Sequence, residues 1–351
     1  MAQEAKEVQV SADGGSTWYT LPGNTADLNR ESSQLTDTIF GESFSSSETG
    51  LINWSVSGNA LYRGFAGYNS TLKKTGTSTS FTGESMSQVG TSQTYRVDDD
   101  ARSVWDWTQT VTINDGGSPV ADADIDEINY VLGEVTFVSG YSVSGPITAD
   151  GNYLPLSAFG KANSFSLTQS ADTTDTTDFE TAQSNGGFMT MRPTLLSSDL
   201  ELTSFYRAAT DFYDILKNRD QFVIEIDPEG NGNSIARGIY KVLTYNQTGD
   251  VGGDEENTVN FGLSVPEDTL PFSWRHLSAS NIPQGLKIIL DAWEGKNEID
   301  VRYLPDGEGK EGYEGKIIVT DASMSSGIDA MVEASVTLQG TGTLSKINET
   351  T

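Results

Sequence analysis

Residues 208–265 are written a second time, loosely, at residues 281–340, and this repetition constrains the fold more than any other feature of the chain. The first copy opens with AATDFYDILKNR, where Ala208, Phe212, Ile215 and Leu216 share one face at helical spacing. Lys217 and Arg219 fall in the last turn, where the helix dipole favours positive charge. The segment QFVIEID then alternates as a strand does, followed by a Gly-rich turn, the strand ARGIYKVLTY, an acidic loop and the strand TVNFGLSV. The second copy keeps this order. Leu286, Ile289, Leu290 and Trp293 form one helical face, with Asn281 expected as the N-cap, Pro283 near the start and Gly295 near the end. EIDVRYL, KIIVTD and MVEASVTLQG supply its three strands. A small β-rich unit stated twice points to assembly more than to catalysis.

The material before each helix also compares. Residues 1–20 read as a hairpin turning at Asp13-Gly14-Gly15. Residues 21–50 are poor in apolar side chains and predict a long polar loop, and 51–64 then put Ile52, Trp54 and Val56 on one strand face. Residues 172–206 again run from a polar loop containing Thr-Asp-Thr into strands. The expected organisation is therefore discontinuous. Residues 1–64 form the front half of a second domain completed by 271–351 (strands to 345), 156–270 form the first domain, and 65–155 form an inserted all-β module. Within that module Trp105 and Trp107, two apart, are expected on one side of a strand as a core stack.

Catalytic chemistry has little to work with. The chain holds no Cys and a single histidine, His276, and no G-x-S-x-G, P-loop or dinucleotide pattern occurs. Asp122, Asp124 and Asp126 resemble a calcium loop, but Glu127 stands where that loop requires Gly, and the loop from Asp227 lacks the closing Glu. The expectation is no enzyme activity, no cofactor and no metal site. Residues 1–15 carry no basic stretch and no apolar run, so folding in a cytoplasm without a membrane is expected. The formal charge of −29 opposes binding along a phosphate backbone or an anionic bilayer. It suits a soluble protein, or a surface past which nucleic acid moves without sticking.

Alternation selects a set of acidic strand positions. Glu225 and Asp227 stand opposite Phe222, Ile224 and Ile226, and Glu298 and Asp300 stand opposite Ile299, Val301 and Tyr303. Glu201 stands opposite Leu200 and Leu202, and Glu333 opposite Val332, Ala334, Val336 and Leu338. In an ordinary sandwich these six carboxylates meet bulk water; in a ring they line a hole. On that reading, neutralising Glu225, Glu298 and Glu333 together leaves folding intact.

The Thr-Asp-Thr loop between strands, the short helix, the Gly-rich turn and the closing strand ending in LQGTG resemble the major tail tube protein of long-tailed bacteriophages. TSFTGESM, TYRVDDDARSVWDWTQTVTIND and INYVLGEVTFVSGYSVSG look like segments of the same family. The resemblance implies a mainly β chain with two tube-type β-sandwich domains, each flanked by one short helix and contributing to an intersubunit β-barrel. It implies stacked rings, trimeric with pseudo-sixfold symmetry or else hexameric, around an acidic lumen that conducts viral DNA. The partners it implies are further copies, a tape measure protein in the lumen, and tail terminator and tail-tip proteins. The loops at 21–50 and 170–187 would make inter-ring contacts. Rival readings are a β-sandwich adhesin binding carbohydrate or calcium, a hydrolase with paired carboxylates, and a tail-tip or baseplate component.

Overall fold

In the computed structural model of the chain, residues 7–37, 46–158, 162–205, 212–248, 256–267 and 269–348 are described. The chain is mainly β. It opens with β1 (Glu7–Ser11), β2 (Tyr19–Leu21), β3 (Gly23–Asp37), β4 (Ser46–Ala66) and β5 (Thr71–Thr75). Seven shorter strands follow: β6 (Thr79–Gln88), β7 (Thr94–Val97), β8 (Thr112–Asp115), β9 (Ser118–Pro119), β10 (Ile125–Asn129), β11 (Glu134–Phe137) and β12 (Ile147–Tyr153). Next come β13 (Leu156–Ala158), β14 (Ala162–Asp175), helix α1 (Phe179–Ser184), β15 (Met191–Phe205) and α2 (Phe212–Asn218). The chain continues through β16 (Phe222–Asp227), β17 (Ser234–Thr248), β18 (Glu256–Leu263) and β19 (Phe272–His276). It closes with α3 (Gln284–Glu294), β20 (Ile299–Leu304), β21 (Gly312–Gly327) and β22 (Met331–Ile347).

The strand pairings spell out one topology twice. In both cases a helix precedes a three-stranded antiparallel meander, β16-β17-β18 or β20-β21-β22. Phe222 pairs with Tyr240 as Ile299 pairs with Ile317. A bulge follows in the middle strand of each, between Val242 and Thr244 and between Val319 and Asp321. The two helices even leave through equivalent left-handed residues, Arg219 (φ 60°) and Lys296 (φ 53°). The last strand takes one more neighbour: β15 lies on β18 with Leu200 opposite Phe261, and β4 lies on β22 with Val56 opposite Leu338. The first strand takes a hairpin, β5–β13 on β16 and β1–β2 on β20. One repeat (β5, β13–β15, α2, β16–β18) thus sits in the chain between the halves of the other (β1–β4, α3, β20–β22). We call them the nested and the split repeat.

By compactness the chain divides differently. One unit holds Met1–Tyr68, Ser166–Ser197 and Asn281–Thr351, and the other holds Asn69–Phe165 and Ser198–Ser280. The division falls within β14 and β15. Of residues 65–155, expected as a module of their own, 69–155 share the second unit with the nested repeat's meander because β5 is one of that sheet's strands. The module is an insertion at the tip of the β5–β13 hairpin, at the place where the split repeat has only the turn after β1. Its strands run β10-β11-β7-β6-β12-β8-β9.

Local sequence explains most of these elements. Leu286, Ile289, Leu290 and Trp293 of α3 are buried, as their spacing requires. Pro283 occupies the N-cap position expected for Asn281, and no side chain caps there. The start of the other predicted helix, including Ala208, lies outside the described residues. The polar stretch at 21–50, read as a loop, is instead two strands, with residues 38–45 outside the described set. It was not recognisable because β3 is exposed along residues 31–36 and is held by its ladder to β4, so no apolar alternation marks it. The tryptophan pair does not stack. Trp105 is buried against Phe81 in the module core, whereas Trp107 packs with Val104, Val131, Val223 and Ile239. The segment carrying both is irregular, so a spacing of two does not place them on one face.

Candidate assembly surface

Three of the six acidic residues are open to solvent. Glu201 is exposed on β15, Glu333 is exposed on β22, and Glu298 is exposed just before β20. Asp300 is half-buried on β20, opposite Lys316, and burial pushes its carboxyl above the ordinary carboxylate value despite that lysine. Glu225 and Asp227 are buried, which corrects the expectation of an open polar face on β16. The physical reason is the inserted module: Val104, Val131 and Leu132 lie over Val223 and Ile239, on the side of the sheet that alternation assigned to water.

What the module seals in is a charged network. Glu225 receives Lys73 Nζ at 2.7 Å and Arg237 Nη2 at 2.7 Å. Arg237 Nη1 also donates to Ser103 Oγ at 2.8 Å and to the Val131 carbonyl at 3.1 Å, both module groups. Burial alone would raise the Glu225 carboxyl, but Arg237 and Lys73 outweigh it and hold it below its usual value. Asp227 closes the Gly-rich turn by accepting from the amides of Glu229 (3.0 Å), Gly230 (2.8 Å) and Gly232 (2.7 Å). Burial raises its carboxyl despite those bonds. This pair of carboxylates is therefore structural in the second unit.

The split repeat holds the equivalent position with the charges exchanged. Arg302 stands where Glu225 stands, and Glu314 where Arg237 stands, joined at 2.6 Å. Here the cover is one side chain from the β1–β2 turn, Trp18, whose ring centroid lies 3.9 Å from the Arg302 guanidinium carbon. Sequence reading missed Lys73, Arg237, Arg302 and Glu314. Laying VIEID over DVRYL would have shown the exchange.

The first unit also shows how one repeat's hairpin is received. The far end of β14–β15, with α1, is fastened there by backbone bonds. Gly342 N donates to Met189 O (2.8 Å), Met189 N to Ile52 O (2.9 Å) and Ile52 N to Gly187 O (2.8 Å). Thr341 Oγ1 meets both the amide and the carbonyl of Met191 at 3.2 Å, and Lys296 Nζ donates to Thr194 O at 2.6 Å. β14 lies beside β21, and its Leu167 and Gln169 are fully buried. Helix α1 starts with a capping box between Asp178 and Thr181 and holds Phe179 98 % exposed.

No family model matches the chain, and no curated protein matches it. Among solved structures, a chain from the virion of a native gene transfer agent particle is similar at a TM-score of 0.28 and 13% identity. The match covers 34% of this chain and 88% of that one. A likeness of that size carries no weight on fold or function. Among the described residues no helix is long and apolar enough to cross a membrane.

Proposed function

We propose that the chain is a virion structural protein, a non-enzymatic two-repeat tail tube protein that polymerises as stacked rings into a hollow conduit for DNA. The observation that carries this reading is the nested duplication: two β units of one topology in one chain, as an assembly that repeats a unit around an axis would use. The family resemblance of the sequence and the net charge of −29 support it. An acidic wall repels phosphate, so DNA slides without binding. The wall is assigned to the exposed Glu201, Glu298 and Glu333. Neutralising Glu225 would remove a buried ion-pair partner, so the lumen test excludes it. Phe179, bare at the end of the β14–β15 hairpin, is assigned to contacts between stacked rings. Negative-stain electron microscopy of the concentrated protein is the test. Hollow tubes or rings with threefold end-on views are expected, and monomers at every concentration would count against the reading. Tubes of the E201Q/E298Q/E333Q variant are expected to form normally and to retard DNA passage.

A further inference from the structure

The two repeats are equivalent, but their long hairpins are not treated alike. β14–β15 finds a seat in the first unit; among the described residues β3, the outer strand of β3–β4, pairs with β4 alone. The seat is a particular stretch of edge. On β21, β22 occupies one side along its length, and β20 covers the other side only from Tyr313 to Ile317. β14 lies on that same second side, which leaves it the stretch beyond Ile317.

Among the described residues, β17 of the nested repeat shows the same stretch of edge with no strand laid along it. β18 pairs along one side from Tyr240 to Thr248, while β16 covers the other only from Ala236 to Tyr240. Among the described residues no strand pairs with Lys241–Thr248 on the β16 side. The positions that receive the hairpin tip have counterparts as well. Thr341, Gly342 and Thr343 correspond to Ser264, Val265 and Pro266, and Val265 is 69 % exposed. Leu243, displaced outward at the bulge, is 59 % exposed. The missing piece is equally visible. β3 pairs with β4 alone, its residues 31–36 are exposed, and Leu35 is 58 % exposed.

We infer that β3 of one copy pairs with the Lys241–Thr248 edge of β17 in a second copy, reproducing between chains the β14–β21 contact made within one. The occupant is a second copy because the chain already shows which of its own elements fits such an edge. Strand addition satisfies two rows of backbone groups that otherwise stay open to aggregation. The contact is head-to-tail, each chain using β3 on one side and β17 on the other, so a closing rotation gives a ring and any other gives a filament. The inference deepens the tube reading by naming the edges that join, and it rests on that reading only in requiring self-association.

Cysteine crosslinking tests it, since the chain has no Cys of its own. Single variants Ser32→Cys and Ser33→Cys point to opposite faces of β3, and Tyr245→Cys and Asn246→Cys do the same on β17. Each β3 variant is mixed with each β17 variant under mild oxidation. Met191→Cys with Thr341→Cys in one chain is the control for the internal seat. Disulfide-linked dimers of unlike chains are expected, at least ten-fold above like-chain dimers for the best pair. Adding Leu243→Glu is expected to reduce them at least ten-fold while the thermal melt of the monomer stays in place. Assembly by light scattering without unlike-chain crosslinks would overturn the edge assignment and leave the tube reading standing. Monomers at every concentration would overturn both.

Discussion

Glu225 with Arg237 and Arg302 with Glu314 occupy one register position in two copies of one sheet, with the charges exchanged and the surroundings different. The nested pair is 3 % and 2 % exposed beneath an inserted module, and the split pair is 30 % and 34 % exposed beneath one indole. A cross-strand ion pair is thus tolerated in either polarity, and what lies over it sets its energetic role. Exposed, it is worth little; sealed, it cannot lose a partner without stranding a charge. The core slots differ in the same way. In the split repeat Trp54 of β4 lies over Gly315 and Gly340 and donates Nε1–H to the Gly342 carbonyl at 2.9 Å. In the nested repeat the position equivalent to Trp54 is Ser198, and Tyr240 fills the space over Gly238 with its hydroxyl 2.9 Å from Ser198 Oγ. One aromatic is supplied from β4, the strand beside the last strand of the meander, the other from the middle strand.

The largest effect that separates the two pairs is expected from single truncations. Arg237→Ala should destabilise by roughly 3–5 kcal/mol, because Glu225 is left buried beside Lys73 alone. Arg302→Ala should cost only about 0.5–2 kcal/mol, the sum of an exposed pair and a cation–π contact. Urea unfolding of both variants measures this. Equal costs would mean that the module does not seal the nested pair. Next in size, Gly340→Ala places a methyl group 2.2 Å from the Trp54 ring and should cost about 1–3 kcal/mol. The double change Gly340→Ala, Trp54→Phe should recover part of that loss in a thermal melt. If the single variant melts like the parent, the indole is not held between those glycines.

The smallest effect is in the pH profile. Glu225 has a folded pKa below its unfolded value near 4.5, so its contribution is fully present above that value and is lost as pH falls through the depressed one. Asp13 behaves likewise in the β1–β2 turn. Hydrogen bonds from Ser11 Oγ and the Thr17 amide bring it from 3.8 to about 2, so its share is lost across that interval. Asp227 runs the other way: its raised pKa makes acid favour the folded form until the unfolded carboxyl is also protonated. Glu225→Gln should therefore flatten the acid limb of the denaturation midpoint below pH 4.5, and Asp13→Asn should flatten it below pH 3.8. A limb unchanged in Glu225→Gln would place the acid sensitivity elsewhere.

Much of the fold was legible because apolar periodicity survives wherever one face is buried. The α3 face and the set Ile52, Trp54 and Val56 both declare themselves, and Phe222–Asp227 declares itself as a strand although both of its faces are buried. β3 did not, because a strand held by its partner's backbone needs no side-chain pattern. The acidic positions were legible as strand residues and not as exposed ones, since alternation gives a side and says nothing about what lies on it.

From its own letters, then, the chain determined that a helix and three strands occur twice, that the cores are aromatic and aliphatic, and that the surface is strongly acidic. These follow from local spacing and composition. Only the tertiary structure decided that the inserted module lies over the nested repeat's sheet, that Glu225 and Asp227 are internal, and that β14 lies beside β21 while, among the described residues, β3 pairs with β4 alone. Those outcomes depend on contacts between residues far apart in sequence, where burial is conferred by whatever arrives from elsewhere in the chain.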